Sequence, residues 1–543
     1  MGTKKYFASK DSTITNAFKS DLSTRGSGSN MGASDILEVF SIYQQISSSS
    51  DGASQELSRA LLQFPISGSS AGQIYADRTD GTIPASGSVK FYLNLFNAKH
   101  GGTLPRDITV NLMAVSGGAW TEGTGLDMDE YRDLGQCNWE KRQSGVSWGK
   151  IGGDYWSGSY NSGTTLPKYT YTFTNGDEDL SLDITSMVEE MIAGRTDKAR
   201  QNYGFGLFLT GTQEAYVSNS SGVDGAKVLH NPGGATDSYY TKKFFARGSQ
   251  FFFKRPNIEA RWDSSTKDHR GSFVYSSSLA TGPDNVNTLY LYNYVRGQLK
   301  NIPGVTTVYV QLFSGSSDNS EPHTIPLELA ICGGAGTAIS GGVAKTNHHY
   351  VTGGLSTTTG IYTASVALTA SATAPTKIFD VWGAGIGAVT GTTVQSTQYF
   401  TGSFTPSKLY GSDNNPTNQY VTKITNLKDL YSTDEEPRLR VYTREKNRTP
   451  TVYTVATADA QPTLVEDAYF KIVRLYDMKE VISYGTGSLV NNYTRLSYDV
   501  SGSYFDLDMS LLEADYAYGI QFAYYLNGVY KEQKELFKFR VEE

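Results

Sequence analysis

The chain has 543 residues, a formal charge of −7 and only 19% charged side chains, set against 37 Tyr, 24 Phe and 56 Gly. That length exceeds one ordinary domain and suffices for three, each with its own core. No basic run could neutralise a row of phosphates and no 18-residue apolar run occurs, so nucleic acid and membrane are excluded as expected partners.

Aromatic and β-branched side chains suit a pleated surface, and Gly supplies the positive φ that tight turns need, so the composition predicts an all-β protein. Met1-Gly2-Thr3-Lys4-Lys5 leads into polar Ser, Thr and Asn rather than an apolar segment, which predicts a chain made in the cytoplasm that stays soluble. Cys137 and Cys332 stand far apart and predict two reduced thiols rather than a disulfide framework.

Residues 1–34 are polar and rich in Gly and Ser, ending in Arg25-Gly26-Ser27-Gly28-Ser29-Asn30. They read as an extended arm or edge strand, docked on a neighbour or disordered. Residues 35–265 read as a first sandwich. Val89, Phe91, Leu93 and Leu95 alternate with Lys90, Tyr92 and Asn94, as do Ile108, Val110 and Leu112 with Thr109 and Asn111, and Phe205–Leu209 gives a further strand.

Asp183 is placed to cap one short helix, with Ile184, Met187, Val188 and Met191 at helical spacing and Gly194 at its end. Residues 266–437 carry Tyr-rich strands such as 288–294 and 307–312 and read as a second sandwich. A third, immunoglobulin-like sandwich occupies 438–543. Phe537, Phe539 and Val541 alternate with Lys538, Arg540 and Glu542, which predicts that the last strand is paired into a sheet.

No two of His100, His230, His269, His323, His348 and His349 stand at i, i+4 on a helix, as a zinc hydrolase needs, and the adjacent pair His348-His349 would point to opposite faces of a strand. Hydrolase elbows and phosphate-binding loops are absent from the sequence. The stretch Glu122–Asp133 gathers five acids. It is a solvated loop, a calcium site through Asp127, Asp129 and Asp133, or a source of paired catalytic carboxylates. Trp120, Trp139, Trp148, Tyr155 and Trp156 share one Gly-rich segment. Exposed, Trp120, Trp148, Tyr155 and Trp156 would stack sugar rings; buried, they would plug one end of the sandwich.

Several ordered segments of the first half carry a family resemblance. They are Ser58-Arg59-Ala60-Leu61-Leu62-Gln63-Phe64, Ile83-Pro84-Ala85-Ser86-Gly87-Ser88-Val89, Trp120-Thr121-Glu122-Gly123-Thr124-Gly125, Leu182-Asp183-Ile184-Thr185, Asn202–Leu207 and Arg255-Pro256-Asn257-Ile258-Glu259. Together they resemble the DNRLRE-type jelly-roll domain, which is similar to carbohydrate-binding modules. The resemblance implies a sandwich and permits glycan binding without requiring it. The chain departs from that pattern by a long insertion around 126–160. Arg438–Arg444, Leu464–Phe470, Thr494–Asp499, Ser503–Met509 and Phe537–Val541 resemble large virion proteins of contractile-tailed marine bacteriophages.

The expected fold is therefore all-β, a jelly-roll sandwich followed by two smaller sandwiches, with few short helices. The expected role is a non-enzymatic structural protein of a tailed-phage virion at the neck or collar, tail or capsid surface, made in the host cytoplasm. Its expected partners are other virion proteins and copies of itself, with no cofactor unless the acidic loop is the calcium site of the three readings above. The alternative is a glycan-binding host-recognition module on the particle.

Overall fold

A computed structural model describes residues 2–46, 54–67, 72–102, 104–161, 163–194, 196, 200–218, 227–332, 337–338, 349–356, 358–370, 374–384, 397–408, 419–446, 462–486, 492–526 and 528–543. Strands hold 43% of the chain and helices 6%, so the protein is all-β and sandwich-like. Two compact units are present, Thr3–Trp262 and Asp263–Glu543.

The first unit contains strands β1 (Gly2–Phe7), β2 (Lys10–Thr15), β3 (Ile36–Tyr43), β4 (Gln55–Gln63), β5 (Val89–Leu95), β6 (Ile108–Ala114), β7 (Lys141–Gln143), β8 (Val146–Ser147), β9 (Tyr169–Phe173), β10 (Leu180–Asp183), β11 (Phe205–Leu209), β12 (Tyr239–Phe245) and β13 (Asn257–Trp262). One sheet runs β1-β13-β5-β10. The other runs β12-β3-β4-β11-β6-β9, with β2 also paired to β4. Between them lies a core fed by the alternation legible in the sequence: Val89, Phe91, Leu93 and Leu95 from β5, and Ile108, Val110, Leu112 and Ala114 from β6.

Two helices close this core. The first, α1 (Gln73–Asp80), was not expected, because only Ile74 and Asp77 are buried along it and no apolar stripe marks it; Gly81 ends it at φ 85°. The second, α2 (Thr185–Ala193), buries Met187, Val188 and Met191. Asp183 is the last residue of β10 rather than the N-cap. Ile184 holds the cap position, while Asp183 Oδ1 accepts from the Thr185 amide at 3.0 Å and hydroxyl at 2.6 Å. The strand pairing of Asp183 with Tyr92 takes precedence over the cap.

Of the two readings of residues 2–34, the edge strand holds, since β1 forms one edge of its sheet beside β13, and the segment is not a free arm. Ile14 sits among buried apolar residues, Arg25 Nη1 donates to the carbonyls of Asn16 and Gln55, and the Asn30 amide donates to the carbonyls of Glu122 and Cys137. A polar sequence is buried here because backbone carbonyls supply its partners.

In the second unit, one core sits on a seven-stranded sheet built from Asn287–Tyr292, Thr307–Gly315, Pro322–Pro326, Val351–Leu355, Ile361–Val366, Ile378–Gly383 and Gln398–Phe404. A second core fills the space between a four-stranded and a six-stranded sheet. This C-terminal sandwich includes Tyr420–Ile424 and Leu430–Ser432, so it begins before the expected boundary at residue 438. Tyr420–Ile424 pairs with Arg438–Glu445, and Leu430–Ser432 runs parallel to the last strand, Phe537–Glu542. That last strand is therefore interior, with Ala517–Ile520 on its other side.

Candidate functional site

The densest chemistry lies in the insertion between β6 and β9 and in the sheet face beneath it. On β4, Ala60 and Leu62 point into the main core, while Leu57 and Leu61 point the other way, into a second core with Ile14, Val115, Trp120, Cys137, Trp139 and Trp148. Alternating side chains of one strand are thus buried on both faces of the sheet, the polar Gln55, Glu56, Ser58 and Arg59 included.

The aromatic segment forms that second core and presents no stacking platform through its tryptophans. Trp120 is 1% exposed and Trp148 5%. Their indole N–H groups donate to the carbonyls of Tyr203 at 2.8 Å and Asn138 at 2.9 Å. With that polar atom satisfied internally, the ring gains by leaving water. The Trp139 indole donates to Lys227 O at 3.0 Å, and Gly152, at φ 79°, lies against its ring where a Cβ would come within 2.8 Å. Tyr155 is half-buried, its hydroxyl donating to Gly152 O at 3.0 Å, and burial pushes its phenol far up. Trp156 packs against the main core instead, so the four proposed sugar-stacking residues do not share one face.

Sequence reasoning missed the charge inside this aromatic layer. Arg59 on β4 holds Glu214 through Nε and Nη2, and its Nη1 donates to Gly152 O at 3.0 Å. The guanidinium lies 4.6 Å from the Phe208 ring centroid and 5.4 Å from that of Trp139. Burial pushes the Glu214 carboxyl up, while Arg59 pulls it back down. The signal in the sequence was an arginine inside the run Arg59-Ala60-Leu61-Leu62, which calls for a buried acid in reach.

A second constellation joins the N-terminal strand to the insertion. The Arg247 guanidinium clasps Glu122, Nε to Oε1 at 2.9 Å and Nη2 to Oε2 at 2.7 Å. The Arg247 amide donates to Asp11 Oδ2 at 2.5 Å, and Glu122 Oε1 also accepts from the Asp11 amide at 2.9 Å. Burial pushes the Asp11 carboxyl from its ordinary 3.8 to about 7, against the pull of the Arg247 amide, with the nearby Glu122 charge adding to the rise.

Of the three readings of the acidic loop, the calcium site is not assembled. Asp127 Oδ1 accepts from the amides of Asp129, Glu130 and Tyr131 at 2.8, 2.7 and 3.1 Å, which holds the carboxyl below its ordinary range. Asp133 Oδ2 instead accepts from the Thr124 amide and hydroxyl at 2.8 and 3.1 Å, and Asp129 is exposed. Two of the three carboxylates are spent on folding the loop. Among the described residues, no group of three His, Cys, Asp or Glu is disposed to hold a metal ion.

Elsewhere, Arg270 in the second unit is buried between Asp268 and Asp380, and the Trp382 indole donates to Asp380 Oδ2 at 2.7 Å. A cavity of about 560 Å³ opens in the same unit, with Tyr275, Leu327, Leu329, Leu368 and Pro375 around a single carboxylate, Glu328. His269 donates or accepts at Tyr498 Oη, 2.9 Å away, and accepts from the Thr288 amide. His348 lies outside the described residues. Cys137 is buried and unpaired, and burial pushes its thiol far up.

The sequence matches no known family model and no curated protein. Among solved structures it is similar to a Salmonella alpha-2-macroglobulin reacted with methylamine, at 10% identity over 99% of this chain and 34% of that one, with a TM-score of 0.13. The chain spans about a third of that protein's length, and a likeness at that score carries no argument about fold or function.

Proposed function

We propose that the chain is a non-enzymatic structural component of a tailed-phage virion, present in multiple copies at the neck or collar, the tail or the capsid surface. The observation that carries this reading is the insertion over β4. Its tryptophans and the Arg59–Glu214 pair, the side chains best equipped for chemistry or ligand contact, are turned inward as a second core on the outer face of the sheet. A sheet buried on both faces is a stiff layer, suited to transmitting contacts between subunits rather than to adapting around a substrate.

The resemblance of the second half to contractile-tail virion proteins gives the reading its context. The glycan-binding alternative loses the tryptophans that were to supply its platform. Mass spectrometry of purified particles is the test. Stoichiometric recovery of the chain with the structural proteins supports the reading, and its absence from particles that retain their tails overturns it.

A further inference from the structure

Two exposed apolar patches of opposite charge lie at one end of the first unit. The first is the loop from Leu126 to Leu134, in which Leu126, Tyr131 and Leu134 are 48%, 62% and 55% exposed. It carries Asp127, Asp129, Glu130 and Asp133 against the lone Arg132. The hydrogen bonds to Asp127 and Asp133 described above fix its shape and leave the exposed Asp129 and Glu130 facing water.

The second is the knuckle after β12, where Phe251 and Phe252 are 46% and 49% exposed. Phe7 and Phe245 back them, with ring centroids 4.5 Å from Phe252 and 5.5 Å from Phe251. Lys254 lies 5.3 Å from the Phe245 centroid and 5.5 Å from that of Phe251, and Arg255 lies 5.4 Å from that of Phe252. Neither cation has a carboxylate partner among the described residues, although Arg255 Nε donates to Ser249 O at 2.8 Å.

The patches are neighbours. The Ala33 amide donates to Gly125 O at 2.9 Å, a Cβ on Gly248 would lie 3.5 Å from Ser34 O, and Arg247 clasps Glu122. A few residues of chain therefore link the loop to the knuckle.

We propose that this end of the first unit is a self-complementary interface on which a second copy of this chain docks about a two-fold axis, the 126–134 loop of each copy seated on the Phe251–Phe252 knuckle of the other. A two-fold contact needs one surface that complements itself, and an acidic apolar patch beside a basic aromatic one meets that need. Exposed large apolar side chains gathered into a patch and rimmed by charge are the mark of a protein contact. Phenylalanine offers no hydrogen bond to a sugar hydroxyl, and Lys254 and Arg255, with no carboxylate partner among the described residues, call for carboxylates, which Asp129 and Glu130 supply. The inference rests on the reading that the chain works in multiple copies.

Sedimentation equilibrium of the purified full-length chain tests it. The wild type is expected to dimerise, with a dissociation constant that rises with salt. Lys254→Glu combined with Arg255→Glu is expected to raise that constant by roughly tenfold or more, through like-charge contact. Adding Asp129→Lys and Glu130→Lys to the same chain restores the dimer, which a general loss of structure would not do. Phe252→Ser weakens the dimer at an unchanged thermal midpoint. A wild type that stays monomeric into the millimolar range, or charge-reversed variants that dimerise as the wild type does, overturns the interface. In either case, stoichiometric recovery of the chain from particles would leave the structural-virion reading standing.

Discussion

Arg59 and Glu214, 155 positions apart in the chain, are joined by three hydrogen bonds of 2.7 to 3.1 Å inside the aromatic layer that covers β4. Neither side chain has water to fall back on, so the pair ties the segment after β11 to β4, while Arg59 also holds the insertion through Gly152 O, and each partner is costly to remove. Glu214→Ala is expected to destabilise the first unit by about 3–5 kcal/mol, because it strands a buried guanidinium. The paired replacement Arg59→Met with Glu214→Leu is expected to recover most of that loss. Denaturant unfolding of the three chains checks both outcomes.

Trp148→Ala separates a core role from a binding role. At 5% exposure, with its indole N–H on Asn138 O, truncation is expected to cost about 3–5 kcal/mol and to lower the melting temperature clearly. An unchanged melting temperature would return Trp148 to the surface.

Asp11 makes stability depend on pH. Its carboxyl is raised from 3.8 to about 7 in the folded state, so between those values the folded chain holds a proton that the unfolded chain has released. The contribution of Asp11 is therefore fully present below about pH 4 and is lost as pH rises through about 7. Asp11→Asn, which keeps an oxygen for the Arg247 amide, is expected to gain on the wild type steadily from pH 4 to 7 and to hold that gain above. Denaturation midpoints across this range check it, and a flat difference would refute the shift.

Calcium is expected to leave the melting temperature unchanged, as is its removal by a chelator, because Asp127 and Asp133 already accept backbone and hydroxyl hydrogens within their own loop. A rise in melting temperature that saturates with calcium, and that Asp129→Ala abolishes, would restore the ion site.

Deleting residues 536–543 removes a strand with neighbours on both sides, and with it the buried Phe539 and Val541. The truncated chain is expected to lose cooperative unfolding of the second unit, as read by calorimetry.

The strands β5, β6 and β11 and the final strand were legible in the sequence because alternation is a local property: each apolar residue on the core face is followed by one that faces away. The same logic reached the helix at 185–193, missing only which residue caps it. It failed at α1, whose buried face is two residues wide, and it did not reach the burial of residues 2–34, where the Asn30 side chain is paired with the carbonyls of Glu122 and Cys137, more than 90 positions away.

The sequence by itself determined the all-β class and the inward faces of a few strands, β5, β6 and the last among them, since both follow from composition and from a period of two. Only the tertiary structure decided what the residues of the insertion do. Whether Trp120 and Trp148 meet sugar or sheet depends on what stands beneath them. The buried outer face of β4, with Arg59 and its distant partner Glu214, is a surface that no local pattern encodes.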